Sequence, residues 1–599
     1  MSPIPDRSRA TGTNEKEGRA VSALDVVVEK NLRVAMRDGV ELATDVYRPA
    51  AGGPFPTLVE RIPYNKELYG MISGWLDVLR ATQEGFAVVV QDTRGRYQSG
   101  GTFRPFADEK ADGGDTVAWA ARQEWSTGSV GMFGSSYTGA TQWLAAAERP
   151  PALAAMSAAI TSSDYYENWL YQGGAFRLGF ALQWVASSLA LGELLRSASA
   201  EAERLADLQR MLDDMGAVFR RLPERDHPVL TAIAPYLSQW MDHPERDDYW
   251  ARLSARGDAV TDIPVLNIGG WHDLFLGGTI DNYLALRART AEPDARRQRL
   301  VIGPWAHGAA SGVFPERAFG IQAGFDGADM TGVQLAWFKE HLAGSPSATS
   351  SSPVRIFVMG PDVWRDEPDW PLPDAEYVDY FLGSTGGART SSGDGTLSTA
   401  TGSEAVSDSF VYDPADPVMT CGGATFLPGL FIGANAGPRD QTRTEARPDV
   451  LCYTSQPLDR SMEVTGPVRA RLYVSSSAVD TDFTATLVDV HPDGRPELVC
   501  DGIVRCRYRT STTRPEFLDP GAVYEIEVDL VATAYVFAAG HRLRLDVSSS
   551  NFPKFDRNPN AAVPVADARP SDLVVATNTV WHDSTRPSRV VLPVVRRSA

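Results

Sequence analysis

"SVGMFGSSYTGATQWLAA" runs from Ser129 to Ala146 and changes character near its middle. Val130 to Ser135 is a short apolar run of strand type, and Ala140 to Glu148 has helical composition. A sharp strand-to-helix elbow strains its central residue and crowds the neighbours, so small residues must flank it. Two serines compete for that centre. Gly134 stands two positions before Ser136, whereas Phe133 stands two before Ser135, where its ring would clash. The elbow therefore selects Ser136 as candidate nucleophile. The match to G-x-S-x-G is incomplete, because Thr138 holds the second glycine's place and Gly139 follows one later. A helix N-cap serine after a glycine turn is the competing structural reading.

Outward from the elbow, Thr57 to Ile62, Phe86 to Asp92, Ala152 to Ile160, Ile263 to Gly270 and Gln298 to Trp305 are further short apolar runs with helical patterns between them. This alternation predicts a mostly parallel sheet with helices on both faces. Residues 163–257 interrupt it with few strand signals. There Leu205, Leu208, Leu212, Met215, Phe219 and Leu222 recur every three or four residues, which predicts one apolar helix face. A helical insertion of this kind is expected to cap the site. "AGSPSATSSSP" (Ala343 to Pro353) reads as a linker. Beyond it, runs such as Ala470 to Val490, Tyr524 to Ala532, Arg542 to Ser550 and Ser588 to Val595 predict an antiparallel sandwich.

The expected organisation is a disordered tail over 1–24, a catalytic α/β unit over 25–162 and 258–345, a helical cap over 163–257, and a β domain over 346–599. A chain of 599 residues is long enough for roughly two to four domains. Its net charge of −19 argues against nucleic acid as a partner. No apolar run of spanning length is evident, so no membrane span is expected. The N-terminal stretch lacks the apolar core of a secretory signal. Cys421, Cys452, Cys500 and Cys506 form no C-x-x-C pair, so free thiols, no structural metal and a cytoplasmic location are expected.

A serine nucleophile needs a base, and the base an orienting carboxylate. Of the eight histidines only His272 and His307 follow strands of the α/β unit. Ser136, Asp273 and His307 occur in the order nucleophile, acid, base that α/β-hydrolases use. His272 is a rival base, with a place on the surface or the pocket wall as its alternative.

Several further strings accompany these residues: "RIPYNK" (Arg61 to Lys66), "QDTRGRYQSGG" (Gln91 to Gly101), "GGWHDLF" (Gly269 to Phe275), "GPWAH" (Gly303 to His307) and "SSSNFPKFDRN" (Ser548 to Asn558). With these the chain resembles the cocaine esterase-like (CocE/NonD) hydrolases, relatives of the X-Pro dipeptidyl peptidases and the α-amino acid ester hydrolases. The resemblance implies an α/β-hydrolase core with an inserted helical cap and a C-terminal β jelly-roll. It implies the triad Ser136, Asp273 and His307. It also implies an oxyanion hole made by the Tyr137 backbone N–H and the Tyr64 phenol. Asp92 and Arg94 match the family as structural residues, as an ion pair or as loop-fixing groups.

The resemblance places Trp169, Trp184, Phe275, Leu430 and Phe431 around the acyl group, which implies an apolar or aromatic acyl moiety. Leu274, Phe275 and Leu276 follow Asp273 where the amino acid ester hydrolases place carboxylates, so an obligatory substrate amine is disfavoured. The expected function is a serine carboxylesterase acting through an acyl-enzyme on a small-molecule ester, without cofactor. An amide-cleaving acylase or peptidase with the same triad is the alternative. A homodimer is compatible with the sequence, which leaves assembly open.

Overall fold

The computed structural model describes residues 25–196, 202–256, 263–289, 297–345, 352–401, 407–427 and 435–597. The expected tail over 1–24 and most of the linker fall outside these residues, as do Leu430 and Phe431.

Twelve strands precede the β domain: β1 (Val26–Ala35), β2 (Glu41–Pro49), β3 (Phe55–Ile62), β4 (Ala87–Asp92), β5 (Ser126–Ser135), β6 (Leu153–Ala159), β7 (Tyr171–Gln172), β8 (Ala175–Phe176), β9 (Val265–His272), β10 (Gln298–Ala306), β11 (Val354–Val358) and β12 (Val363–Glu367). All but β7 and β8 form one sheet in the order β1-β2-β4-β3-β5-β6-β9-β10-β11-β12. Strands β3 to β6, β9 and β10 pair in parallel, as the run of short apolar segments predicts. Their residues are buried almost end to end, because helices cover both faces. The helices Glu109–Ala121 and Tyr137–Ala147 pack on one face through Val117, Ala120, Ala140 and Leu144. Val78–Gln83 and Met330–Ala343 pack on the other through Val78, Ala81, Leu335 and Phe338.

The sheet runs past the expected boundary at residue 345. Leu300 pairs with Val354 and Ile302 with Ile356, so β11 and β12 extend the sheet after the linker-like stretch. Composition predicts a linker there; strand pairing decides which sheet the next strands join.

The insertion is helical, but its amphipathic face belongs to two helices. Ala202–Asp213 and Met215–Arg220 meet at Asp214, whose carboxylate caps the second by accepting from the Ala217 N–H at 3.0 Å. Leu208 and Phe219 are buried, whereas Leu205 is exposed. Residues Leu178–Arg196 form a continuous helical run apolar and long enough to meet the length test for a membrane span, which the sequence reading missed. It is 72% buried inside the protein, as the core helix of the insertion.

The β domain holds eleven strands, from Ala375–Gly383 to Arg589–Val595. Met462–Ser476 and Tyr524–Phe537 pair antiparallel along most of their length, with buried and exposed residues alternating over much of each. The insertion is wedged between this domain and the α/β unit. The Gly179 N–H donates to the Pro553 carbonyl at 2.7 Å, and the Tyr508 hydroxyl to Glu245 at 2.8 Å.

Candidate active site

Strand β5 ends at Ser135 and a helix begins at Tyr137, so the whole turn falls on Ser136. Ser136 has φ 54° and ψ −121°, a conformation costly for any residue with a Cβ. Three bonds hold it there. Its N–H donates to Ala159 O at 3.0 Å, and its carbonyl accepts from Ala140 N–H at 2.9 Å and Thr161 Oγ1 at 2.8 Å. Gly134, at φ +133°, is indispensable: a Cβ there would lie 2.2 Å from Thr138 Oγ1. The same Oγ1 accepts from Ser135 N–H at 2.7 Å and donates to Ser135 O at 2.9 Å. Thr138 thus braces the elbow from the position where the usual motif has glycine.

Asp273 and His307 follow β9 and β10, neighbouring strands at the same sheet edge as the elbow. His307 Nδ1 lies 2.8 Å from Asp273 Oδ2, and Nε2 lies 3.0 Å from Ser136 Oγ. Asp273 is buried, and its other oxygen accepts the Phe275 N–H at 2.7 Å. With the Nδ1 proton directed at Asp273, the Nε2 lone pair faces the serine hydroxyl. This geometry suits proton removal from Ser136. The rival His272 is buried against Phe314 and Phe319, away from Ser136, and burial holds its pKa down to about 3. It stays neutral and takes no part in the cluster.

Ser136 opens onto a cavity of about 440 Å³. Tyr64 lies in its wall, and its hydroxyl oxygen accepts from Trp184 Nε1 at 2.9 Å. Burial raises the Tyr64 pKa well above a free phenol's, so the group keeps its proton, for which the described residues offer no acceptor. The Tyr137 N–H opens the helix and likewise has no backbone acceptor among the described residues. The Tyr137 ring is fully buried, its hydroxyl donating to Glu109 at 3.1 Å and accepting from Phe106 N–H at 2.9 Å.

The cavity wall differs in part from the expected one. Trp184 lines it, but Trp169 and Phe275 are fully buried and stack on each other at 4.1 Å. Phe275 meets the His307 ring edge-on at 4.9 Å, so this pair supports the base from behind. Phe180, Phe426, Met71, Trp75 and Leu191 line the wall and were not singled out by sequence. Leu430 and Phe431 lie outside the described residues. None of the described lining residues is Asp, Glu, Lys or Arg.

Asp92 and Arg94 do not pair with each other. Asp92 accepts from the Lys66 N–H at 2.8 Å, and burial raises its pKa to about 6. Arg94 bonds Asp112 and Asp38. A larger groove, of about 520 Å³, lies between the insertion and the β domain and contains no serine, cysteine or histidine. Ser384, His582 and Asp408 form a second serine–histidine–aspartate cluster. It is buried, and the one nitrogen His582 Nε2 faces both Asp408 Oδ2, at 2.8 Å, and Ser384 Oγ, at 3.3 Å, so the ring does not link the acid to the serine through its two nitrogens. Asp489, His491 and His541 bring possible ligand atoms within 4.8 Å of one another. There Arg495 already supplies a cation, with Nη2 at 2.9 Å from His491 Nε2 and Nη1 at 2.8 Å from Glu497.

Comparison with known proteins gives a consistent placement. Residues 38–309 match the X-Pro dipeptidyl-peptidase (S15 family) model, and 346–591 match the X-Pro dipeptidyl-peptidase C-terminal non-catalytic domain. The chain is 42% identical to the cocaine esterase of Rhodococcus sp. (strain MB1 Bresler), over 95% of this chain and 99% of that protein. Among solved structures, an α-amino acid ester hydrolase aligns with a TM-score of 0.79 at 24% identity, over 99% of this chain and 100% of that one. A CocE/NonD family hydrolase from Staphylococcus aureus aligns with a TM-score of 0.68 at 18% identity, over 95% and 94%. These two likenesses speak for the fold.

Proposed function

The chain belongs to the cocaine esterase-like (CocE/NonD) group of S15-related α/β-hydrolases, and from this membership we propose that it is a serine carboxylesterase. The observation that carries the reading is the single line from Asp273 through His307 to Ser136 Oγ, at 2.8 and 3.0 Å, opening onto an uncharged cavity. His307 takes the Ser136 proton as Oγ attacks the ester carbonyl, and Asp273 fixes the imidazole and stabilises its cation. The Tyr64 hydroxyl and the Tyr137 N–H meet the charge that develops on the carbonyl oxygen. His307 returns the proton to the leaving alcohol, and water cleaves the acyl-enzyme by the same route.

The aromatic wall of Phe180, Trp184 and Phe426 supports an apolar or aromatic acyl group. A free substrate amine would find no carboxylate among the described lining residues, which favours the ester reading over a dipeptidyl peptidase. The β domain is read as a jelly-roll and the protein as cytoplasmic, acting without cofactor on a small-molecule ester.

The test is paired substitution. Ser136→Ala removes aryl-ester turnover and fluorophosphonate labelling, a loss on the order of 10⁵-fold or more, while Ser135→Ala retains most activity. The opposite pattern would overturn the assignment. Matched aryl esters and anilides with one acyl group separate esterase from amidase.

A further inference from the structure

The helix that carries Trp184 is not regular. Leu178–Trp184 and Leu191–Arg196 are α-helical, but Val185–Ala190 between them forms a π-helical turn. Such turns widen the helix, redirect backbone carbonyls and recur at functional sites. Here the Ser188 and Leu189 carbonyls meet the guanidinium of Arg96, with Nη1 donating to Leu189 O at 3.0 Å and Nη2 to Ser188 O at 3.4 Å. The third edge of the same guanidinium, Nε–H, donates to Pro63 O at 2.9 Å. Pro63 immediately precedes Tyr64. One planar group therefore ties the segment bearing Tyr64 to the segment bearing Trp184, and those two side chains are hydrogen-bonded to each other.

We propose that Arg96 is a positioning residue for the reaction, holding the Tyr64 hydroxyl where it receives the oxyanion. The inference rests on the reading of Tyr64 as an oxyanion donor.

Three observations support it. Arg96 is 1% exposed, so its donors are committed to these carbonyls and are not exchanged with water. The chain makes room for it: a Cβ on Gly192 would lie 2.1 Å from Arg96 Nη2. The Phe103 ring lies 4.7 Å beneath the guanidinium carbon and closes its other side. Its nearest carboxylate is that of Glu193, at 3.7 Å and itself partly exposed. The guanidinium field thus reaches Tyr64, opposing the upward push that burial exerts on the phenol's pKa. A positive charge held behind the phenol also favours negative charge developing in front of it. Lysine in this position would keep the charge but not the three-edged fork.

A double-mutant cycle tests the proposal, with kcat and KM measured on an aryl butyrate ester for the full chain, Arg96→Gln, Tyr64→Phe and the double variant. Arg96→Gln is expected to lower kcat about 10-fold with KM within about 2-fold, and to cost less than about 2-fold more in the Tyr64→Phe background. Equal losses in both backgrounds would overturn the proposal, because Arg96 would then act on the fold at large. Unchanged turnover in Tyr64→Phe would instead overturn the reading of Tyr64, and the Arg96 proposal with it. Circular dichroism and thermal melting check that the variants fold; where Arg96→Gln does not, Arg96→Lys replaces it in the same cycle and is judged by the same coupling.

Discussion

Trp184 Nε1 donates to the hydroxyl oxygen of Tyr64 at 2.9 Å. The bond occupies a lone pair of the phenol and leaves its proton free to point into the cavity. It also joins an indole from the helical insertion to a residue of the α/β unit. In the proposed reading of Tyr64 as an oxyanion donor, that donor is held from two parts of the chain. Tyr64→Phe is expected to lower kcat roughly 100- to 1000-fold, the usual loss for one preorganised donor. Trp184→Phe keeps an aromatic wall but frees the phenol to rotate, and about a 10-fold fall in kcat is expected. Stopped-flow acylation rates with an aryl ester read both.

The elbow is sterically closed around Gly134. Gly134→Ala drives a methyl group into Thr138 Oγ1 from a backbone with φ +133°. The expected result is a loss of about 1–3 kcal/mol in urea unfolding, with kcat reduced as Ser136 shifts. Thr138→Val keeps the shape of the brace but removes its bonds to Ser135, and should lower stability by about 1 kcal/mol.

Phe426 stands 5.4 Å from the His307 ring and 5.6 Å from Phe180, and it lines the cavity. It is the described β-domain residue that reaches the site's wall. Phe426→Ala should lower kcat/KM for a benzoate ester about 10-fold and for an acetate ester by less. Measured across an acyl series, a uniform loss would place Phe426 outside the acyl-binding wall.

Acid stability offers an independent check on His272. Its folded-state pKa of about 3 lies below the unfolded value near 6.5, so the unfolded chain binds the extra proton in between. Its stabilising neutrality is fully present above pH 6.5 and is lost progressively as pH falls towards 3. Replacing the ring by one that does not titrate, His272→Phe, should move the midpoint of acid unfolding to lower pH. Aryl-ester turnover at neutral pH should persist, because among the described residues the ring contacts of His272 are with Phe314 and Phe319 and not with the His307 ring.

Gly192 gives the complementary test of packing behind the oxyanion donor. Gly192→Ala leaves Arg96 in place but crowds its Nη2. A fall in kcat of a few-fold with a lowered melting temperature is expected, since the Arg96 guanidinium and the Tyr97 hydroxyl must both yield.

Much of this protein was written in one dimension. The apolar runs at β3, β4, β5, β6, β9 and β10 were legible because parallel strands buried on both faces admit little else. Ser136 over Ser135 was legible because a strained turn tolerates only glycine two residues before its centre. Asp273 and His307 followed from chain order and from their places after strands. The tertiary structure decided what depends on approach from elsewhere. It set Trp169 and Phe275 behind the wall, because the two rings stack on each other instead of facing the cavity. It broke the apolar face of the insertion at Asp214, because a carboxylate cap there outweighs continuity of pattern. It carried the α/β sheet past a linker-like stretch, since strand pairing is a contact between distant residues. It also brought Arg96, Pro63 and the widened turn at Val185–Ala190 together, a junction of three segments that no periodicity records. Local sterics are encoded by neighbours in sequence; which side chains share a cavity is settled only when the segments close on one another.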